Sequence, residues 1–317
     1  MRLIDQTVLP APGSDPAATD PLVAASQALV QAAARSLIDP QARALASSVE
    51  WWPGPDRASG TPGLQTPVAV LGQGPTVLLL HGFDSSFLEF RRLAPLLASD
   101  HRLVIPDLHG FGFSPRPVSD DYDPEAVLRH LDGLLPRLGP GVGVIGASMG
   151  GAVAVALARR HPETIGRLLL LAPAGLTGRP MPVPPLLDAL GVRFLARPGV
   201  RRGLCRSAFA DPEAAVGPAE LEIASVHLPT PGWADALRRF ARSGGFAGCG
   251  APLPAQPLAV LWGKDDRILR PPQKRAALAL LGNRVEELAA CGHLPHLDQP
   301  ATVAAAWRNG SLADQGS

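Results

Sequence analysis

Residues 142–151 read VGVIGASMGG, an apolar run followed by a serine that stands between two glycines. This order predicts a buried strand, a very tight turn at Ser148 and a helix that begins directly after the turn. Only small residues fit two positions before and after such a turn, and Gly146 and Gly150 occupy those positions. The turn lifts the Ser148 hydroxyl to the N-terminus of a helix, where developing negative charge is stabilised. The pattern therefore predicts that Ser148 is a nucleophile.

Two other interpretations of this segment explain less. A serine that only caps a helix accounts for Ser148 but not for both flanking glycines. Gly141, Gly143 and Gly146 also match the G-x-G-x-x-G pattern of dinucleotide-binding folds. In those folds, however, the glycines follow the strand, and an acidic residue closes the next strand. Here the glycines lie before and within the apolar run, so no dinucleotide cofactor is expected.

Short apolar runs alternate with helical segments on both sides of this motif. The expected strands are Pro67–Leu71, Thr76–Leu80, Leu103–Pro106, Val142–Ile145, Leu168–Leu171, Leu258–Trp262 and Val285–Ala289. Continuous apolar strands that alternate with helices predict an α/β fold, with a mostly parallel sheet covered by helices on both faces. The alternation stops near Pro173 and resumes later, which is typical of an insertion that returns to the same sheet. We expect a core over residues 65–176 and 258–317, a helical lid over 177–257, and a leader with a helical extension over 1–64.

The segment from Leu22 to Ser48 is rich in alanine and predicts a helix with a break at Asp39-Pro40. Such a helix either packs on the body of the protein or associates weakly with a membrane surface. Its polar positions include Gln27, Gln31 and Arg35. This face is not rich in lysine and arginine, as membrane-surface helices prefer, so packing on the body is the favoured interpretation.

A serine hydroxyl becomes a good nucleophile only when an imidazole accepts its proton, and the imidazolium then needs a carboxylate to orient it. After a strand–serine–helix turn, the acid and then the histidine follow along the chain, each after a strand. An acidic turn, Asp265-Asp266, follows one late strand, and His293 follows the next. His296 is expected at the rim of the site, so His293 is the expected base. The two histidines lack further ligands nearby, so no metal site is expected.

The oxyanion that forms during acyl transfer needs two backbone N–H donors. One is expected from Met149, directly after the serine, and the other from the loop after the strand Thr76–Leu80. That loop reads HGFDSS over residues 81–86, and its glycine permits the amides to turn inward. Phe83 is therefore the expected second donor, whereas His81 is expected to form structural hydrogen bonds beneath the site.

Five motifs, in this order, resemble those of the α/β-hydrolase superfamily. They are His81-Gly82-Phe83, Asp107-Leu-His-Gly110-Phe-Gly112-Phe-Ser114, Gly146-Ala-Ser148-Met-Gly150-Gly151, Trp262-Gly263-Lys-Asp-Asp266 and Gly292-His293-Leu-Pro295. The resemblance implies the α/β-hydrolase fold with a lid after the sixth strand of the core. In the superfamily's G-x-x-D pattern the acid lies three residues after the glycine, which implies Asp266 and not Asp265.

Departures from the superfamily's subgroups narrow the expected chemistry. The loop His-Gly-Phe-Asp-Ser lacks the longer glycine run of many lipases of the superfamily and the His-Gly-Gly-Pro-Gly of its proline iminopeptidases. Haloalkane dehalogenases carry an aspartate where this chain has Ser148, so their chemistry is excluded. Residues 1–64 lie almost entirely outside the superfamily pattern.

The composition excludes several classes of protein. The 317 residues include 29 Lys and Arg and 28 Asp and Glu, and the resulting net charge of +1 lacks the basic excess of a nucleic-acid-binding protein. Three widely spaced cysteines cannot form a disulfide framework or a four-thiolate metal site. No apolar run of about 18 residues and no secretory signal is visible, so a cytoplasmic location without a membrane span is expected. The oligomeric state stays open.

These features together lead us to expect a cofactor-free serine hydrolase whose partner is a small or medium acyl substrate, most simply a carboxylic ester. Ser148 would attack the carbonyl, with His293 as base and Asp266 as its orienting acid. The same fold and triad also permit hydrolysis of a C–C bond in a vinylogous diketone, because neither decides the substrate. A non-enzymatic scaffold or binding protein would lack a member of the triad, and none is missing.

The expected lid leaves two questions open. Arg201 and Arg202 either bind a carboxylate or phosphate of the substrate or, as is commoner for a run of charge, lie on a solvated face. The apolar residues of the lid are expected to line the pocket or to form a small core of their own. They include Leu186, Leu187, Leu190, Phe194, Leu204, Phe209 and Phe240.

Overall fold

A central sheet of eight strands organises the computed structural model, which describes residues 20–56 and 63–310. The expected leader over residues 1–19 therefore lies outside the described residues, as do residues 57–62 and 311–317. The strands are β1 (Val49–Pro53), β2 (Gln65–Leu71), β3 (Thr76–Leu80), β4 (Arg102–Pro106), β5 (Val142–Ala147), β6 (Ile165–Leu171), β7 (Leu258–Gly263) and β8 (Val285–Leu288).

The strands lie in the order β1-β2-β4-β3-β5-β6-β7-β8. β2 pairs antiparallel with both β1 and β4, and every other pair is parallel. The expected mostly parallel α/β-hydrolase sheet is confirmed. β2 and β3, which follow one another in the sequence, are separated in the sheet by β4. The parallel strands bring the loops that follow β3, β5, β7 and β8 to one edge of the sheet.

Helices cover both faces of the sheet. They are α1 (Pro21–Ser36), α2 (Pro40–Ser47), α3 (Ala94–Leu97), α4 (Pro124–Leu134), α5 (Met149–Arg160), α6 (Leu187–Leu195), α7 (Pro198–Ala208), α8 (Pro212–Ala215), α9 (Pro218–Ile223), α10 (Trp233–Ser243), α11 (Pro271–Leu281), α12 (Pro295–Asp298) and α13 (Pro300–Asn309). Among the helices of the described residues, none combines the length and the hydropathy that crossing a membrane requires.

Alternation along the strands explains why the central strands of the sheet are apolar throughout. In β5, Val144 faces the core cluster that contains residues of α4 and α5, whereas Ile145 faces the cluster that contains residues of α1, α2 and α13. Both side chains are fully buried, because successive residues of a strand point to opposite faces and both faces are covered.

The N-terminal extension packs on the body of the protein, as the favoured interpretation predicts. Val30 and Ala33 of α1 are buried in the same core cluster as the sheet residue Leu79. The break between α1 and α2 lies at the expected position, because the Asp39 side chain accepts hydrogen bonds from the first amides of α2 and Pro40 begins that helix.

Five helices, α6 to α10, lie in the chain between β6 and β7, and we call residues 172–257 the insertion. Its apolar residues do not all behave as expected. Phe209 and Phe240 are buried, whereas the larger group is exposed: Leu186, Leu187, Leu190, Phe194 and Leu204. The second group therefore forms neither a core of the insertion nor a closed pocket lining.

Candidate active site

Ser148 lies in the tight turn between β5 and α5. Its backbone has φ +50° and ψ −118°, a strained conformation for a residue with a side chain. A Cβ atom at Gly146 would overlap the backbone of Gly150, and one at Gly150 would overlap the carbonyl oxygen of Leu80. The turn therefore requires both glycines that the sequence pattern singled out.

Three of the residues selected from the sequence lie together at this turn. Nε2 of His293 is 2.9 Å from Oγ of Ser148, and Nδ1 of His293 is 2.9 Å from Oδ2 of Asp266. With the proton on Nδ1, the ring donates to the carboxylate and Nε2 is free to accept the hydroxyl proton of the serine. The arrangement is a continuous path for one proton from the alcohol to the imidazole.

Close packing of two loops brings the acid and the base together. A Cβ atom at Gly263, at the end of β7, would overlap the carbonyl oxygen of Gly292, so the loop after β7 can touch the loop after β8 only because Gly263 has no side chain. The amide of His293 also donates to the carbonyl of Ala208, 2.7 Å away, which links this loop to the end of α7 in the insertion.

The surroundings of Asp266 keep its carboxylate ionised. Oδ2 accepts from the Trp262 indole at 2.9 Å, and Oδ1 accepts from the amides of Ile268 at 2.9 Å and Leu269 at 3.2 Å. Burial alone would raise the pKa of Asp266, but the hydrogen bond and charge of His293, together with these donors, lower that pKa to about 2. Asp265, by contrast, is exposed.

The loop after β3 lies beside Ser148. A Cβ atom at Gly82 would be 3.4 Å from the Cβ atom of Ser148. Within the described residues, no hydrogen bond uses the backbone N–H of Phe83 or of Met149. These are the two amides that the sequence predicts as oxyanion donors; Met149 follows the serine directly and Phe83 follows Gly82.

His81 is fully buried beneath this loop and forms structural hydrogen bonds. Its Nδ1–H donates to the carbonyl of Gly82 at 2.8 Å, and its Nε2 accepts from the amide of Leu108 at 3.0 Å. Burial lowers the pKa of His81 to about 4, so the ring is neutral at pH 7 and holds one fixed tautomer.

His296 is not at the rim of the site, as the sequence suggested, but fully buried. Its Nε2 lies 3.1 Å from Oε1 of Glu89, and Oε2 of Glu89 accepts from the amide of Gly82 at 3.1 Å. Burial would raise the pKa of Glu89, yet the neighbouring His296 and the more distant His81 lower that pKa to about 2. The pair therefore supports the loop after β3 from below, and no sequence signal pointed to it.

Asp84, next to Phe83, ties the same loop to the insertion. Its carboxylate pairs with the Arg201 guanidinium, accepts from the Trp233 indole at 2.8 Å and lies 3.1 Å from Nε2 of His227. The interpretation of Arg201 as a solvated charge is thus wrong, because Arg201 is 7% exposed, whereas Arg202 is exposed. Sequence reasoning missed this cluster, because Arg201 and Asp84 are 117 residues apart.

Aromatic side chains form an apolar surface next to the expected oxyanion donors. The ring of Phe83 lies 5.8 Å from that of Phe111 and 6.1 Å from that of Phe240, between ring centroids, and Phe240 is 6.3 Å from Phe246. Phe83 is 44% exposed, so part of this surface remains open. An apolar group of a bound molecule can pack there.

Comparisons with known proteins agree with this fold. Residues 77–306 match the family model described as the alpha/beta hydrolase family. The 2-hydroxymuconate semialdehyde hydrolase of Pseudomonas sp. (strain CF600) is 28% identical over 263 residues, which cover 76% of this chain and 88% of that protein. Lipase 1 of Psychrobacter immobilis is 41% identical over 111 residues, about a third of either chain (34% and 35%).

A solved structure gives the same architecture at low sequence identity. The 2-hydroxy-6-oxo-6-phenylhexa-2,4-dienoate hydrolase from Rhodococcus sp. strain RHA1 superposes with a TM-score of 0.66 at 22% identity, and the match covers 83% of this chain and 98% of that chain. The family model spans well over half of the 317 residues, and its fold is the one described above. The protein therefore belongs to the alpha/beta hydrolase family.

Proposed function

We propose that the protein is a cofactor-free serine hydrolase that cleaves a small or medium carboxylic ester through an acyl-enzyme. The observation that carries the proposal is the chain of two 2.9 Å contacts that joins Ser148, His293 and Asp266. A serine, a histidine and a carboxylate in this relation are the machinery of acyl transfer by nucleophilic catalysis.

In the first half of the reaction, Oγ of Ser148 attacks the carbonyl carbon of the ester while Nε2 of His293 takes the hydroxyl proton. The carbonyl oxygen becomes an oxyanion, and the amides of Phe83 and Met149 donate to it. The imidazolium, stabilised by ionised Asp266, then protonates the leaving oxygen. The ester C–O bond breaks, the alcohol departs and the acyl group stays on Ser148.

In the second half, a water molecule takes the place of the alcohol. Nε2 of His293 removes a proton from the water as its oxygen attacks the acyl carbon, and the same two amides stabilise the second oxyanion. The bond between the acyl carbon and Oγ of Ser148 breaks, and the proton on His293 returns to the serine. The carboxylic acid is released and the enzyme is restored.

An aromatic surface favours an apolar acyl group. The aromatic surface of Phe83, Phe111 and Phe240 adjoins the proposed oxyanion donors. Two buried arginines near this loop are already engaged by the protein, because Arg201 pairs with Asp84 and Arg116 donates to backbone carbonyls at 2.6 and 3.0 Å. Arg201 is therefore not free to pair with a carboxylate of the substrate, whereas Nη1 of Arg116 is buried and has no hydrogen-bond partner within the described residues.

A second candidate activity is hydrolysis of a C–C bond in a vinylogous diketone. It is favoured by a different observation: the relative that matches over 88% of its own length is a 2-hydroxymuconate semialdehyde hydrolase. The same triad would catalyse this reaction. It differs from ester hydrolysis in that the leaving group is a carbon atom, which must be protonated as the C–C bond breaks, and in that the substrate of such a hydrolase carries a carboxylate.

Steady-state kinetics on both substrate classes test the proposal. We expect turnover of p-nitrophenyl acetate and butyrate, and a fall in kcat of at least about 10³-fold in Ser148→Ala. Ser119→Ala, which removes an exposed hydroxyl, is the matched control and should retain full activity. Turnover of an aromatic ring-cleavage product without any ester turnover would replace the first candidate by the second. Full ester activity in Ser148→Ala would reject both.

A further inference from the structure

The insertion carries an exposed apolar stripe on α6 and its flanks. Its members are between 44% and 81% exposed: Met181, Leu186, Leu187, Leu190 and Phe194, together with Leu204 on α7. Leu187, Leu190 and Phe194 follow the spacing i, i+3, i+7 and so share one face of α6. A contiguous group of exposed large apolar side chains on a single element is uncommon for a surface that meets only water.

The opposite face of α6 explains why the stripe points outward. Asp188 and Val192 are buried on that face, and the Asp188 carboxylate pairs with Arg242 of α10. α10 in turn places Phe240 against Phe83 of the loop after β3. α10 therefore lies between α6 and the candidate active site, and the apolar stripe forms the outer layer.

The charges around the stripe have one sign. Four exposed arginines lie within three residues of members of the stripe in the sequence, and within the described residues none of the four has an ion-pair partner: Arg179, Arg193, Arg197 and Arg202. The remaining charges from residue 179 to residue 206 are neutralised locally. Asp188 pairs with Arg242, Arg201 with Asp84, and Arg206 with Glu213. The surface is thus apolar in the middle and positively charged at its border.

We infer that α6 and its flanks dock the protein on an anionic lipid surface. The apolar stripe would enter the boundary between headgroups and acyl chains, and the four arginines would extend to the lipid phosphates. Docking in this orientation places the candidate active site one helix layer from the lipid. α1, the other amphipathic candidate in the sequence, cannot serve, because Val30 and Ala33 on its apolar face are buried in the core.

The same charges argue against a second copy of the chain as the occupant. In a two-fold dimer built on the stripe, each copy would bring the same four arginines to the border of one interface. Like charges that face each other across an interface destabilise it. An anionic surface, in contrast, gains from every one of them.

Flotation of the purified full chain with vesicles tests the inference without any need for activity. We expect the protein to float with vesicles of phosphatidylcholine containing about one third phosphatidylglycerol, and to remain unbound with phosphatidylcholine alone. Removing the apolar contact in Leu190→Gln/Phe194→Gln should reduce partitioning at least about tenfold. Arg193→Gln/Arg197→Gln should reduce partitioning roughly 30-fold, since each arginine near an anionic surface contributes about fivefold.

Two kinds of control test whether vesicle binding is specific to this surface and whether it is independent of the proposed catalysis. Val118→Gln and Arg275→Gln change an exposed apolar residue and an exposed arginine elsewhere, and should leave partitioning unchanged. Ser148→Ala should bind vesicles like the wild type. The inference would be overturned if the wild type and the two double variants bound vesicles equally. It would also be overturned if the wild type bound no vesicles but formed dimers in solution that the double variants abolish. Circular dichroism verifies that all variants are folded, and hydrolysis of a soluble ester verifies this for every variant except Ser148→Ala.

Discussion

Asp265 and Asp266 are chemically identical neighbours with different surroundings. The Asp266 carboxylate meets His293, the Trp262 indole and two backbone amides, whereas the Asp265 side chain is exposed. Asp266 and not Asp265 meets His293 because of the turn after β7 and the contact between Gly263 and the loop that carries His293. A test of the proposed mechanism can therefore use one residue as the control for the other.

Asp266→Asn should lower kcat for a p-nitrophenyl ester by about 10⁴-fold, because the amide favours the wrong tautomer of His293 and cannot stabilise the imidazolium. Asp265→Asn changes the neighbouring charge in the same way and should leave kcat unchanged. Stopped-flow or steady-state kinetics on both variants measure the difference. Equal effects of the two substitutions would mean that Asp266 does not act through His293.

Gly150 offers a second comparison at single-residue scale. Gly150→Ala places a methyl group on the carbonyl of Leu80, so we expect a loss of more than about 3 kcal/mol of stability or no soluble protein. Gly203→Ala in α7 meets no atom within 4 Å and should stabilise the fold by up to about 1 kcal/mol. Urea unfolding measures both, and a folded Gly150→Ala of normal stability would contradict the described turn.

The residues that sequence reasoning selected near Ser148 lie together because short local patterns encode them. The turn needs Gly146 and Gly150, and the base follows the last strand directly. His296 and Arg201 were misjudged for the opposite reason. Their partners, Glu89 and Asp84, are far away in the sequence, and no local pattern reports that a charged side chain will find a buried partner.

Among strands and helices, too, the elements encoded by a local pattern are predicted, and those that depend on distant partners are not. The expected strands from Thr76 onward are present, and most of them are continuous apolar runs; β8 at the edge of the sheet, which reads VEEL, is the exception. β1 was not expected, since Val49–Pro53 is short, contains a glutamate and is defined by its pairing with β2. Between β3 and β4 the chain forms a 3₁₀ turn at Phe87–Phe90 and the short α3 instead of one continuous helix, and Asp107 accepts from the amide of Phe87 at 2.6 Å.

The link between the loop after β3 and the insertion is an interaction between elements. Asp84 joins Phe83, a proposed oxyanion donor, to Arg201 of α7 and Trp233 of α10. Burial would raise the pKa of Asp84, but the hydrogen bond and charge of His227 and the charge of Arg201 lower it, so the carboxylate is ionised. Asp84 thus joins the insertion to the residue next to the Phe83 amide, the proposed oxyanion donor.

Asp84→Asn should lower kcat roughly 10- to 100-fold with a smaller change in KM, because the loss of charge loosens the loop that holds the Phe83 amide. Trp233→Phe removes a single donor to the same carboxylate and should have a smaller effect in the same direction. Kinetics on the two single variants and the double variant measure their coupling. Strictly additive effects would show that the cluster does not act as a unit.

For the whole molecule, buried histidines determine how the free energy of unfolding changes as the pH is lowered. Burial lowers the pKa of His81 to about 4 and that of His130 to about 3, and it also lowers the pKa values of His109 and His227. The unfolded chain takes up these protons near pH 6.5, whereas the folded chain does so only at lower pH. Asp107 acts in the opposite direction, because burial raises its pKa to about 7.

The free energy of unfolding should therefore fall as the pH is lowered from 6.5 towards 4, before most carboxylates are protonated. Each such histidine contributes a slope of up to roughly 1.4 kcal/mol per pH unit, and Asp107 offsets one of them. His130→Leu should reduce the slope by about that amount. Urea titrations at pH 7, 6 and 5 measure how the free energy of unfolding changes with pH in both proteins. The same dependence on pH in the wild type and in His130→Leu would contradict the burial of His130.

The proposed mechanism requires that Ser148 is the nucleophile and that His293 activates it. The most direct measurement is mass spectrometry of the intact full-length chain after exposure to a fluorophosphonate, followed by peptide mapping. We expect one adduct, on Ser148, no adduct in Ser148→Ala, and much slower labelling in a folded His293→Ala variant. Labelling of another residue, or equal rates with and without the imidazole, would contradict the proposed mechanism.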